Sequence, residues 1–198
     1  MKKIVLATDN DHKLEEIRDT LGDKFQILSK SQAGLGGSSP EENQDTLEKN
    51  ALIKASHLAK KTNYIVIADD TGLFVEALDG KPGVHSARFS YDYGLSKDHD
   101  DRMNRSLLLK LLQGKDRRAY FKTVLCLIDE NKDVHYLEGI CKGEISDKEK
   151  GDKGFGYDSI FIPDGYDKTF AEMGAEKNKI SHRARALEKL VEFFEKHK

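Results

Sequence analysis

The sequence predicts an α/β fold with a mixed β-sheet, and three observations predict it. Short apolar runs of strand length alternate with segments whose apolar residues recur at helical spacing. The run Tyr64 to Ala68 is continuously apolar, as in a buried central strand. Two longer strand-like stretches, 118–128 and 134–145, are separated by a short turn at 129–133, the pattern of a hairpin.

Each element follows in order. Residues 3–8 read as a buried strand. Residues 11–21 carry Leu14, Ile17 and Leu21 on one helical face, and Gly22 stands where a helix stop belongs. Phe25 to Leu28 reads as a second strand. The stretch 33–40 is rich in glycine and serine and reads as an exposed, mobile loop. A second helix follows, with Asp45 and Glu48 as its start signature and Leu47, Ala51, Ala55, Leu58 and Ala59 as its apolar stripe. The central strand is expected to stop at Asp69-Asp70, and residues 80–97 read as loop. Residues 99–113 form a helix through Met103, Leu107, Leu108, Leu111 and Leu112. A glycine-rich stretch at 150–158 precedes a short strand at Ile160 to Ile162. Ser181 caps a last helix bearing Ala184, Leu187, Leu190, Val191 and Phe194. No linker divides the chain, so residues 1–198 read as one domain.

Composition narrows the function. Of 198 residues, 37% are hydrophobic and 34% charged, enough apolar chain for a core beneath a heavily charged surface. The formal net charge of -2 gives no basic excess, which argues against a nucleic-acid partner. The apolar start, Ile4 to Ala7, is too short for a signal peptide or a membrane span. Cys126 and Cys141 form no CxxC pair, which argues against zinc, and Cys126 sits in an apolar run as a small buried hydrophobe. These features suit a reducing, cytoplasmic setting without membrane attachment.

Several short segments combine residues that carry chemistry. Thr8-Asp9-Asn10-Asp11-His12-Lys13 joins a strand to a helix, where free N–H groups favour an anion. It reads either as a capped turn with a solvated lysine or as a phosphate loop with Lys13 beside it. Asp69 and Asp70 are adjacent and expensive to bury unless paired or metal-bound. Neighbouring side chains on extended backbone point opposite ways, so one acid is expected to face a cleft and the other to be held by backbone or a basic partner. Glu41 and Glu42 precede the second helix; they serve its dipole, worth roughly 0.3–1 kcal/mol, or supply a second carboxylate to a metal. Lys54 reads locally as a solvated helix lysine. Gly154-Phe155-Gly156-Tyr157-Asp158 either packs Phe155 in the core or leaves its ring open to a base, a contact worth about 1–3 kcal/mol. Lys177 and Ser181-His182-Arg183 crowd donors at a helix start, against the dipole, and make sense beside something negative.

Taken together, these segments resemble the inosine triphosphate pyrophosphatase family, the dITP/XTP pyrophosphatases. The resemblance rests on Thr8-x-Asn10-x-x-Lys13; Thr46 with Asn50-Ala51-x-x-Lys54-Ala55; Ala68-Asp69-Asp70-Thr71-Gly72-Leu73; Gly80-x-Pro82-Gly83-x-x-Ser86-Ala87-Arg88-Phe89; Gly154 to Asp158; and Glu176-Lys177-Asn178-x-x-Ser181-His182-Arg183. It runs nearly end to end, and the order of the motifs makes it specific. It implies an elongated mixed sheet flanked by helices, two lobes with a nucleotide cleft between them, and a homodimer. The implied substrates are ITP, dITP and XTP, hydrolysed with Mg2+ to monophosphate and pyrophosphate by water attack on the α-phosphorus. Thr8, Asn10 and Lys13 would hold the triphosphate, and Glu42 and Asp70 would bind Mg2+, with Glu41 the alternative to Glu42. Asp70 would be the general base, and Asp69, Lys54 and Thr71 would complete the polar site. Phe155 would stack on the base, with Gly156 and Tyr157 beside it. Asp158, Lys177, His182 and Arg183 would define the base pocket and nearby phosphates, with donors at 182–183 reading the oxygen at ring position six. Three positions depart from the family pattern: Asp9 where glycine is common, Thr71 for serine, and Lys49 for an acid. An acid at position 9 repels phosphates unless it points away.

Overall fold

The computed structural model describes residues 2–37 and 39–196; of the expected 33–40 loop, Ser38 lies outside the described residues. The strands are β1 (Lys2–Leu6), β2 (Phe25–Ser29), β3 (Ile65–Val75), β4 (Pro82–Gly83), β5 (Arg118–Ile128), β6 (Val134–Ile145) and β7 (Phe161–Pro163). The helices are α1 (Asp11–Leu21), α2 (Leu47–Ala59), α3 (Phe89–Asp92), α4 (Asp101–Leu111), α5 (Phe170–Met173), α6 (Lys177–Ile180) and α7 (His182–Lys196). The strands form a seven-stranded sheet in the order β2-β1-β3-β5-β6-β7, with β4 on β3. β1 is parallel to β2 and β3, and β4 and β7 pair antiparallel, so the sheet is mixed as expected. Among the described residues, no helix is long and apolar enough to cross a membrane.

The chain packs as two compact units, and it crosses from one to the other inside β3, between Asp70 and Thr71. The first unit comprises residues 1–70, 123–139 and 182–198. Its core joins Ile4 and Leu6 of β1, Ile65 and Ile67 of β3, Leu125 and Leu127 of β5, Leu14, Ile17 and Leu21 of α1, and Ala186, Leu187 and Leu190 of α7. α1 starts where Asn10 accepts from the backbone N–H of Lys13, and it stops at Gly22, whose φ of 57° suits a residue without Cβ. β6 and α7 lie almost backbone to backbone: a Cβ on Gly139 would sit 2.0 Å from the carbonyl oxygen of His182.

The second unit comprises residues 71–122 and 140–181. Its core is richer in aromatic rings. Phe121, Phe161 and Phe170 pack together with Leu73, Leu108, Leu112, Tyr157 and Ile160. Phe121 meets Phe161 edge-on at 4.7 Å between centroids.

Four expectations change. β3 does not stop at the acids but continues through Asp69-Asp70-Thr71-Gly72-Leu73 to Val75. Partners from distant segments satisfy the carboxylates there, so the strand tolerates them. The N-cap of α2 is Thr46, whose hydroxyl accepts from Lys49 N; Asp45 instead pairs with the Lys49 ammonium at 2.7 Å. The stretch 80–97 contains β4, a 3-10 turn at 86–88 and α3 rather than loop alone. Ser86 organises it by donating to Gly83 O at 2.6 Å and accepting from Leu73 N at 2.9 Å. In the 99–113 helix, Met103 is exposed rather than in the apolar stripe. The spans of α1, β5 and β6 agree with the expected ones.

Candidate active site

The first unit gathers charged side chains at the carboxyl ends of its parallel strands, where open α/β sheets bind ligands. The turn after β1 brings Thr8 and Asn10. Thr8 Oγ1 accepts from Asn10 N at 3.1 Å, and Asn10 Oδ1 accepts from Lys13 N at 3.3 Å. That turn starts α1 and aims Lys13 inward, so its Nζ donates to Asp69 Oδ1 at 3.0 Å. α2, which follows Glu42, brings Lys54. The Lys54 ammonium donates to Glu42 Oε2 at 3.0 Å, to Asp70 Oδ1 at 3.0 Å and to the Asp69 carbonyl oxygen at 2.8 Å. Glu41 lies outside this group and meets Asn43. A cavity of about 150 Å3 is lined by Thr8, Asp9, Lys13, Lys30, Ser39, Glu42, Lys54, His57 and Asp69. Its size suits a chain of phosphates rather than a whole nucleotide.

Asp69 and Asp70 are neighbours with opposite surroundings. Asp69 is the held acid. One oxygen takes Lys13, and the other takes Arg183 Nη2 at 3.1 Å. Burial opposes its charge, yet Lys13, Arg183 and Lys54 outweigh burial and keep its carboxyl far below the usual range. Asp70 shares its cation. Burial pushes its carboxyl up, Lys54 draws it back, and the charge of Glu42 adds to the rise, leaving it at about 6. One ammonium serves two carboxylates, so Asp70 retains a proton more readily than a simple ion pair would. Lys54 itself is not the solvated lysine expected locally. Its side chain is 11% exposed, and Asp70, Glu42 and Asp69 hold its proton against the pull of burial.

Arg183 joins two acids of the first unit. It is 1% exposed, one terminal nitrogen is bonded to Glu16 and the other to Asp69. Its fork bridges two carboxylates of the protein itself and so helps to fix Asp69. His182 beside it is also buried. Asp9 accepts from Ser31 N at 3.0 Å and lies 3.7 Å from the Lys30 ammonium, so its charge is matched locally.

In the second unit, Thr71 continues β3, half-buried. The segment Gly154 to Asp158 folds into a tight turn with φ of 78° at Gly154 and 60° at Gly156, where a Cβ would be strained. Asp158 Oδ2 accepts from Phe155 N at 3.0 Å and from Lys177 Nζ at 2.8 Å. The Lys177 ammonium stands 5.0 Å from the centre of the half-buried Phe155 ring, within cation–π range. Tyr157 is buried, and its hydroxyl donates to Ser86 O at 2.6 Å, so its side chain braces the turn from within the core.

A model of the Ham1 family matches residues 4–193. The chain belongs to the Ham1 family. Ham1 relatives cover it nearly end to end. A protein of Thermoanaerobacter sp. (strain X514) described as a dITP/XTP pyrophosphatase is 48% identical over 196 residues, 96% of either chain. The Staphylococcus aureus Ham1 protein superposes with a TM-score of 0.86 at 37% identity, covering 100% of both chains. A Mycobacterium abscessus structure described as a nucleoside-triphosphatase / dITP/XTP pyrophosphatase has a TM-score of 0.74 at 38% identity, covering 96% of this chain and 98% of its own.

Sequence reasoning missed Lys30, Glu16 and His57. Lys30 was within reach of it, because it directly follows β2, a strand parallel to β1, at the end of the sheet where ligands gather. Glu16 and His57 carry no such signal. Both are helix residues: the partner of Glu16, Arg183, lies far away in sequence, and His57 is known to line the cavity only from the fold.

Proposed function

We propose that this Ham1 family chain hydrolyses the non-standard purine nucleoside triphosphates ITP, dITP and XTP to monophosphate and pyrophosphate. The observation that carries the reading is the Glu42–Lys54–Asp70 cluster beside a cavity that also presents Lys13 and Lys30. In this account Lys13, Lys30 and Lys54 neutralise phosphate oxygens, and Thr8 with the start of α1 adds hydroxyl and N–H donors. Asp70, its carboxyl pushed up to about 6 by burial, accepts as a carboxylate the proton of a water directed at the α-phosphorus, and pyrophosphate leaves. Asp69 positions Lys13. Phe155 receives the base, and Asp158 and Lys177 read its edge.

The donor set suits Mg2+. Glu42 and Asp70 converge on a single cationic nitrogen, and Mg2+ takes one or two carboxylates with the remaining positions left to water and phosphate. When bound, Mg2+ supplies charge neutralisation to the triphosphate. We further propose a cytoplasmic homodimer, in keeping with the family resemblance.

Product analysis with Mg2+ tests the reading. ITP, dITP and XTP are expected to give monophosphate and pyrophosphate, with ATP much slower. Diphosphate and orthophosphate as products, or binding without turnover, would reject it.

A further inference from the structure

Helix α4 belongs to none of the motifs above, yet two of its residues grip the Gly154–Asp158 turn. Asp101 and Arg105 stand four residues apart and so share one face of the helix. Asp101 Oδ2 accepts from Gly156 N at 2.9 Å, and Arg105 Nη1 donates to Gly156 O at 2.7 Å. Both polar backbone groups of one residue are therefore held by charged side chains from the same helix. Such bonds are stronger than neutral ones. Arg105 is itself anchored, with its Nε 3.1 Å from Glu149 Oε1 and its side chain 17% exposed. On the other side of the turn, Phe155 N is tied to Asp158, which also holds Lys177. A Cβ on Gly154 would meet Asp158 Oδ2 at 2.1 Å, so the turn has no slack there.

We infer that Asp101 and Arg105 are positioning residues for base recognition: by holding Gly156 at both its N–H and its carbonyl, they set the plane of Phe155 and the aim of Asp158 and Lys177. They touch no substrate themselves. The inference rests on the proposed reading in which Phe155 receives the base. Without the clamp the turn moves, the stacking platform loses its fixed orientation, and affinity for the nucleoside part falls. The phosphate-binding side chains belong to other segments and keep their arrangement.

The test compares Arg105→Ala, Arg105→Lys and Asp101→Asn with the unaltered enzyme, using Phe155→Ala as a reference for the base contact. Arg105→Ala is expected to raise KM for dITP roughly tenfold, the scale of one lost base–aromatic stack, with kcat changed less than about twofold. Inhibition by inorganic tripolyphosphate, which has no base, should be unchanged. Arg105→Lys, which keeps one donor for Gly156 O, should recover part of the loss. Should Arg105→Ala fail to fold, the near-isosteric Asp101→Asn carries the same measurements with a smaller expected rise. An unchanged KM for dITP would overturn the inference, as would a parallel loss of tripolyphosphate inhibition. Phe155→Ala separates the two layers: if it leaves KM for dITP unmoved, the base reading fails; if it raises KM while the α4 variants do not, only the clamp fails.

Discussion

Replacing Asp70 with Asn is expected to slow dITP hydrolysis by about 100-fold to 10,000-fold, the range for a lost general base, while leaving the protein at least as resistant to heat. The two effects have one cause. Asp70 is buried, and it shares the Lys54 ammonium with Glu42. Burial pushes its carboxyl up to about 6, above the usual carboxylate range, so the folded state holds the proton more tightly than the unfolded state does. Ionised Asp70 therefore costs stability, a cost that grows as pH rises from about 4 to about 6 and persists at neutral pH. The amide removes that cost together with the base. Activity follows the opposite sign, because the carboxylate is the working form. For the unaltered enzyme, kcat/KM should fall as pH drops through about 6, and more Mg2+ should shift that limb to lower pH. Steady-state rates across pH and a thermal melt of each form check all three statements. A variant that kept full turnover would remove Asp70 from the mechanism.

The second large effect belongs to Arg183. Arg183→Met removes the cation that joins half-buried Glu16 to buried Asp69 and leaves the Asp69 carboxylate to the remaining lysines. Breaking a buried pair in this way costs about 3–5 kcal/mol, which in a chain of this size lowers the melting temperature on the order of 10 °C. Against the pull of burial, Lys13, Arg183 and Lys54 hold the Asp69 carboxyl below its ordinary value, so its pairs contribute in full above that ordinary value and lose their contribution as pH falls. The deficit of Arg183→Met should accordingly shrink in acid. Calorimetric melts at neutral and acidic pH measure it. A variant as stable as the parent at neutral pH would mean that the buried network is not holding the fold.

The contrast between these two positions shows what the sequence disclosed. Locally determined elements were legible. Leu14, Ile17, Leu21 and Gly22 mark α1 to the residue, and the apolar runs of β5 and β6 mark the hairpin. β3 was read short because two adjacent acids look like the end of a buried strand. The side chains that make them tolerable, Lys13, Lys54 and Arg183, come from three other segments, and no local pattern announces them. The donors at 182–183 did signal a negative partner. Arg183 meets the protein's own Asp69 and Glu16, partners that only the fold supplies. Glu42 was separable from Glu41 on the same ground, since only Glu42 reaches Lys54. Asp101 and Arg105 act through backbone groups of Gly156, and such contacts leave no residue pattern to read.

The central claim is that the Glu42–Lys54–Asp70 cluster directs water to the α-phosphorus. Single-turnover hydrolysis of dITP in oxygen-18 water, followed by mass spectrometry of both products, tests it most directly. The account predicts one labelled oxygen in the phosphate of dIMP and none in pyrophosphate. Label in the pyrophosphate would place the attack at the β-phosphorus and contradict it.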